Sequence, residues 1–262
     1  MNRVILKGPD AIAKMRRAGQ LLAQVFTELD HRMLPGVTTM AINQWVEHYI
    51  RHELAARPAS LGQYDYPYSL NASPNHVVCH GFPTETPMQE GDIVNIDITL
   101  EKDGYIADSS KTYCIGQVSS GAQKLVDATY TAMWQGIKAV KPGNTLGDIG
   151  HAIDTYARQQ GYSVVLDYCG HGIGQQMHEA PQVLHSGRAG TGLTLKPGMT
   201  FTIEPMINQG RSATRTLRDQ WTVITQDKQL SAQWEHTVLV TPTGVEVLTL
   251  RPEEAQRNSA LG

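Results

Sequence analysis

The sequence repeats itself at an offset of 107 residues, and that register constrains the fold more than any other feature. Leu34-Pro35-Gly36-Val37-Thr38, running on through Ile42, Val46, Tyr49 and Arg51, matches Lys141-Pro142-Gly143-Asn144-Thr145 through Ile149, Ile153, Tyr156 and Arg158. The same offset sets Glu90-Gly91-Asp92-Ile93-Val94-Asn95-Ile96-Asp97 against Pro197-Gly198-Met199-Thr200-Phe201-Thr202-Ile203-Glu204. In each copy a Thr after Pro-Gly predicts a helix N-cap and apolar residues recur at helical spacing; a strand then follows that ends on a carboxylate. One such helix start would be ordinary, but a constant register over two motifs points to duplication. The period is far too long for a solenoid of ~20–50-residue units. It predicts two similar αβ halves, at roughly 10–117 and 118–250, within a single domain spanning 1–262. Any site belongs at their interface.

The remaining pattern fits an α+β chain. Residues 10–34 read as an amphipathic helix with Ile12, Met15, Ala18, Leu22, Val25 and Leu29 on one side, and residues 119–140 as another. Strands are predicted at 92–100, 105–115, 199–207, 220–225, 234–241 and 244–250. Hydrophobic residues at 40% and charged residues at 18% exclude a disordered tail protein. The net charge of −3 removes the electrostatic case for a nucleic-acid binder or a polybasic membrane anchor. No apolar run reaches the ~18 residues of a membrane span, and Val4-Ile5-Leu6 is too short for a signal peptide. Cys79, Cys114 and Cys169 show no C-x-x-C spacing, so ordinary thiols in a reducing cytoplasm are expected.

Residues 94–100 alternate apolar and polar, with Asn95, Asp97 and Thr99 on one face. Asp103-Gly104 then signals a two-residue hairpin turn, which pairs Lys102 with Tyr105 and Asp97 with Ser110. Asp108 becomes a diagonal neighbour of Asp97, ~7–8 Å away between Cα atoms. Such a pair is either solvent-exposed or shares a cation. His171 lies among glycines in Cys169-Gly170-His171-Gly172-Ile173-Gly174, where backbone can approach a ligand, but without the spacing of a dinucleotide loop. His178 follows in His178-Glu179-Ala180-Pro181, while His31, His48, His52 and His151 read as surface or helix residues. Glu204 closes a strand directly before Pro205. Glu235, in an otherwise apolar strand, is either an edge residue or a buried acid that needs a charge partner. Together Asp97, Asp108, His171, Glu204 and Glu235 form an oxygen-rich set suited to hard or borderline divalent ions. The set is too acidic for a structural zinc of Cys and His. It also exceeds the carboxylate content of a two-His, one-acid iron site. Two ions ~3.5–4 Å apart would satisfy four acids at once.

Six ordered motifs closely resemble the type I methionine aminopeptidases: Val77-Val78-Cys79-His80-Gly81, the 91–97 strand, Ala107-Asp108-Ser109-Ser110-Lys111, Cys169 to Gly174, Phe201-Thr202-Ile203-Glu204-Pro205, and Ser231-Ala232-Gln233-Trp234-Glu235-His236-Thr237. The resemblance runs over nearly the whole chain and implies the pita-bread fold, whose two pseudo-symmetric halves agree with the repeat. It implies that Asp97, Asp108, His171, Glu204 and Glu235 hold two divalent metal ions (Co, Mn, Fe, Zn or Ni), with Asp108 and Glu235 bridging. It further implies that His80 and His178 contact the substrate, and that Glu204 moves the proton of the attacking water. Tyr66 and Trp221 match aromatic residues of a methionine-sized slot. Ser60 and Asn71 replace cysteines common in bacterial relatives, Gln63 replaces a tyrosine, and Met177 replaces a phenylalanine, so the catalytic set matches while the slot wall departs. Asn75, Val77 and Ser231 match a monovalent-cation site. The implied activity is removal of the N-terminal methionine from newly made proteins at or near the ribosome, by a cytoplasmic monomer that binds neither nucleic acid nor membrane. Rival readings are a prolidase or aminopeptidase-P relative, which normally carries an extra N-terminal domain, and a non-catalytic peptide-binding module, which normally lacks ligands present here.

Overall fold

The computed structural model describes residues 3–259, so the ends of the expected 1–262 span lie outside it. The offset of 107 reappears in backbone contacts. Thr38 accepts the Ala41 N–H at 3.0 Å to cap the helix Thr39–His48. Thr145 donates its own N–H to Asp148 Oδ2 at 2.7 Å at the start of Leu146–Gln159. Gly36 and Gly143 take left-handed φ values of 88° and 90°. Their N–H groups donate to the carbonyls of Met88 and Leu195, and the N–H groups of Met88 and Leu195 donate back to the carbonyls of Val37 and Asn144. Thr38 bridges Pro87 as Thr145 bridges Thr194. In both halves the helix start is thus stitched to the turn that launches the next strand.

A nine-stranded sheet joins the halves. Arg57–Pro58, Ile93–Lys102, Tyr105–Cys114, Glu235–Val240, Thr200–Ile203, Gly170–Gly172 and Glu179–Val183 lie side by side in that order. Asn71–Pro74 pairs with Ile93–Lys102, and Val245–Val247 with Glu235–Val240. The Asp103-Gly104 turn sets Lys102 opposite Tyr105 and Asp97 opposite Ser110, as its chemistry predicts. The halves meet where Glu235 pairs with Ser110 and His236 with Ser109. One sheet face is packed: the helix Pro9–Leu29 buries Leu22, Val25, Phe26 and Leu29 in a cluster with Ile96, Ile98 and Leu100. Helices Ser120–Lys138 and Leu146–Gln159 form a second cluster with Phe201, Ile203 and Val238. Each such fully buried side chain contributes about 1.5–3 kcal/mol. Alternation along the strands then sends Asp97 and Thr99 to the opposite face.

Several expected elements end elsewhere, the 244–250 strand among them, which shortens to Val245–Val247. The first helix stops at Leu29 rather than residue 34, because Asp30 turns to accept Lys111 Nζ at 2.7 Å and Tyr113 Oη at 2.9 Å, and Pro35 disfavours helix at Leu34. The 199–207 strand is two strands, Thr200–Ile203 and Met206–Asn208, since Pro205 has no N–H for the ladder and the chain crosses there into a three-stranded sheet. The 234–241 segment makes the same crossing at Trp234, between Ser231–Gln233 and Glu235–Val240. The 220–225 strand shortens to Val223–Thr225 because Asp219 captures the N–H groups of Trp221 and Thr222. No helix among the described residues is long and apolar enough to cross a membrane.

Candidate metal centre

Strand order delivers the candidate ligands to one place. Asp97, Asp108, Glu235, Glu204 and His171 come from five successive strands or strand ends of the large sheet. All five line one cavity of about 590 Å³. Ligand atoms of Asp108, His171 and Glu235 lie within 4.8 Å of one another. His171 Nε2 is 3.5 Å from Glu204 Oε1 and 3.8 Å from Asp108 Oδ2. Asp97 lines the same cavity outside the tight group of Asp108, His171 and Glu235 and is steadied by Asn71, whose Nδ2 donates to Oδ2 at 3.3 Å.

The local structure explains each placement. Asp108 is held by Thr237, which accepts its N–H at 3.1 Å and donates to its carbonyl at 2.8 Å. Gly170 and Gly172 let the His171 strand press against its neighbours, because a Cβ at either would meet the backbone oxygens of Thr202 or Ala180 at 2.3 and 2.1 Å. Thr202, two residues before Glu204 on the same strand face, donates to its Oε1 at 2.7 Å, and the Glu204 N–H donates to His185 Nε2 at 3.1 Å.

Burial is the main electrostatic fact. It raises Asp97 from 3.8 to about 6 and Glu204 from 4.5 to about 8. Asp108 and Glu235 are pushed well up by burial and then by the negative charge of their neighbours, with Arg251 opposing this at Glu235. His171 falls to about 3, through burial and then His178, and is neutral near pH 7. Its Nδ1 lies 3.1 Å from the Gly172 carbonyl, so Nδ1 carries the proton and Nε2 turns a lone pair toward Asp108 and Glu204. A lone pair facing carboxyl groups needs a proton or a metal cation between them, and with metal bound the carboxyl protons are replaced. Asp108 Oδ1 is also buried without a hydrogen-bond partner. The donor set therefore fits divalent ions, with Asp108, His171 and Glu235 close enough together to hold one.

The cavity continues past this cluster. His80, at a left-handed φ of 57°, is lowered to about 4 by burial and then His178. Its ring meets Tyr168 and Trp221 edge-on at 5.6 and 6.3 Å. His178 packs edge-on against His171 at 4.3 Å and stacks on Tyr64, whose hydroxyl is 3.3 Å from Nδ1. Tyr66 is anchored by hydrogen bonds to the carbonyls of Leu70 and Gly81 and crosses Trp221 at 4.9 Å. Met177, Ser60, Gln63 and Asn71 also line the wall. Ser60 Oγ is hydrogen-bonded to Thr99 Oγ1, and Asn71 Nδ2 donates to Asp97. His31, His48, His52 and His151 are exposed, as their sequence context predicts. Thr202, His185, Gln233 and Tyr64 join the site without having been expected. Thr202 alone carried a signal, its i, i+2 spacing to Glu204.

Fold and ligand set together define a class: the chain belongs to metallopeptidase family M24, matching it over residues 13–242. Its relatives include the methionine aminopeptidase of Rickettsia prowazekii, 49% identical over 92% of this chain and 93% of that protein. The methionine aminopeptidase of Escherichia coli K12 is 46% identical over 96% of each chain. The crystal structure of the Rickettsia protein superposes with a TM-score of 0.93 over 95% of this chain and all of that one. The Pyrococcus horikoshii prolidase, 20% identical with a TM-score of 0.75 over 94% of this chain and 64% of that one, shares the fold.

Proposed function

We propose that the chain is a metal-dependent aminopeptidase that releases methionine from the N-terminus of newly made proteins and peptides. The observation that carries this is one cavity in which five acid and imidazole donors adjoin His80, His178 and a Tyr66–Trp221 slot. Asp97, Asp108, His171, Glu204 and Glu235 would hold two divalent ions. Such ions polarise the scissile carbonyl and acidify water to near-neutral pH. Glu204 takes the water proton and passes it to the leaving amine. His178 donates a hydrogen bond to the developing oxyanion, and His80 holds the peptide nitrogen. Tyr66, Trp221 and Met177 enclose the first side chain.

The substrate class and three free thiols suit a reducing cytoplasm. We assign the chain as a monomer acting on chains emerging from the ribosome. Asn75, Val77 and Ser231 would hold a monovalent cation: Ser231 Oγ is buried without a partner, and the Ser231 N–H meets the Asn75 carbonyl at 2.9 Å. The test is first-residue release from a peptide panel by chelated protein resupplied with one metal at a time. Met-first peptides should be cleaved in a metal-dependent way. Cleavage confined to Xaa-Pro peptides, or none with any metal, would overturn the assignment.

A further inference from the structure

Lys7 carries its ammonium into the protein interior. Its side chain is 5% exposed, and Nζ pairs with Glu179 Oε2, itself 9% exposed. The other oxygen of Glu179 accepts the Gln176 N–H at 3.2 Å, so one carboxylate ties the N-terminal segment to both ends of the 176–179 turn. Lys7 is fixed in turn, because its backbone N–H donates to the Gly198 carbonyl at 2.7 Å. Gly174 makes room for the pair: a Cβ there would lie 2.5 Å from Lys7 Nζ and 2.7 Å from Glu179 Oε1. The turn so closed contains Met177 and His178.

Around these two residues the backbone is also held by the pairing of Glu179 with Gly172 and by the Gly174 N–H, which donates to the Gln176 carbonyl at 3.1 Å; the Lys7–Glu179 pair adds the tie that comes from the N-terminal segment. The ring contacts of His178 are His171, across the cavity, and Tyr64, an exposed side chain at a left-handed φ of 49°. Neither is a rigid wall behind His178. Its ring must therefore be aimed by its backbone, which Glu179 holds from the next position. Met177 packs among Met15, Ile173 and Leu248, and Met15 lies on the helix that begins two residues after Lys7.

We propose that Lys7 is a positioning residue. From the N-terminal segment it fixes the 174–179 turn, and through that turn the aim of His178 and the Met177 wall of the slot. An ammonium can do this because a charge that far from water must keep a partner, so the turn cannot drift without stranding it. The catalytic part of this proposal rests on the roles given above to His178 and Met177; the structural part does not.

The test uses the metal-loaded full chain with Lys7→Met, which keeps the aliphatic stem, Lys7→Arg, which keeps the charge, and the reversal Lys7→Glu with Glu179→Lys. In Lys7→Met, hydrogen exchange should speed up at 174–179 while the 93–114 hairpin and the metal affinity measured by titration calorimetry stay unchanged. Turnover should fall about 10-fold, short of the ~10²-fold or greater loss from removing an oxyanion donor, with kcat changing more than KM. The preference for Met over Leu at the first residue should narrow. Lys7→Arg or the reversal should restore exchange and kcat together. Unchanged exchange at 174–179 in Lys7→Met overturns the proposal, as does loosening spread evenly over the hairpin. If the native chain cleaves no peptide, the exchange result still decides whether Lys7 holds the turn.

Discussion

Stripping the protein of divalent ions and raising the pH from 5 to 8 probes the buried carboxylates directly. Glu204 moves from 4.5 to about 8 and Asp97 from 3.8 to about 6, both chiefly through burial. The folded chain therefore keeps protons that the unfolded chain has already released. Stability is complete below the unfolded values and is lost as the pH rises through the folded ones. Each pH unit over which one such proton is retained costs about 1.4 kcal/mol. Glu204 alone thus removes about 4 kcal/mol between pH 5 and pH 8. For a chain of this length that lowers Tm by roughly 10 °C. Asp97 adds to the fall in the lower part of the range. Bound cations replace the protons, so the metal-loaded protein should lose most of this slope. The assay is a thermal scan with chelator and with saturating Mn²⁺, at constant ionic strength. The buried histidines work the other way: His171 and His80, lowered to about 3 and about 4, each regain about 2 kcal/mol as the pH rises from 5 to 6.5. The decisive window is therefore pH 7 to 8, where a chelated protein whose Tm stays flat or climbs would refute the assignment of these acids as a buried, mutually repelling set.

Two further outcomes follow from the site. Asp108→Ala should abolish metal binding and turnover together, whereas His178→Ala should keep its metal while kcat falls ~10²-fold, as expected for one lost oxyanion donor; metal analysis beside kinetics separates them, and full activity in Asp108→Ala would contradict the two-ion reading. Met177→Phe combined with Asn71→Cys should widen the kcat/KM margin of Met over norleucine and Leu, within the ~1–3 kcal/mol that one methylene is worth in an apolar pocket; an unchanged ratio over a peptide series would mean that these positions do not shape the slot.

Much of the site was legible in the sequence because its grammar is local. The Asp103-Gly104 turn and the alternation before it place Asp97 opposite Ser110 without reference to the rest of the chain. The 107-residue offset names both helix starts and aligns the two carboxylates. Asp97 nevertheless lies within the strand Ile93–Lys102 rather than at its end, while Glu204 follows Thr200–Ile203. Chemistry of the residue types then singles out Asp97, Asp108, His171, Glu204 and Glu235 as oxygen-rich donors. Local grammar does not extend to pairings between distant strands, whose register depends on which faces the helices bury. Only the folded chain brings Glu235 beside Ser110, so that the Glu235 strand closes the seam between the halves. Only there does His185 accept the Glu204 N–H, Tyr64 reach His178, and Lys7 meet Glu179 across 172 residues. Each of these contacts joins side chains whose separation in sequence says nothing of their distance. They are decided by packing the two halves against one sheet, and that same packing takes the carboxylates out of water and raises their affinity for protons.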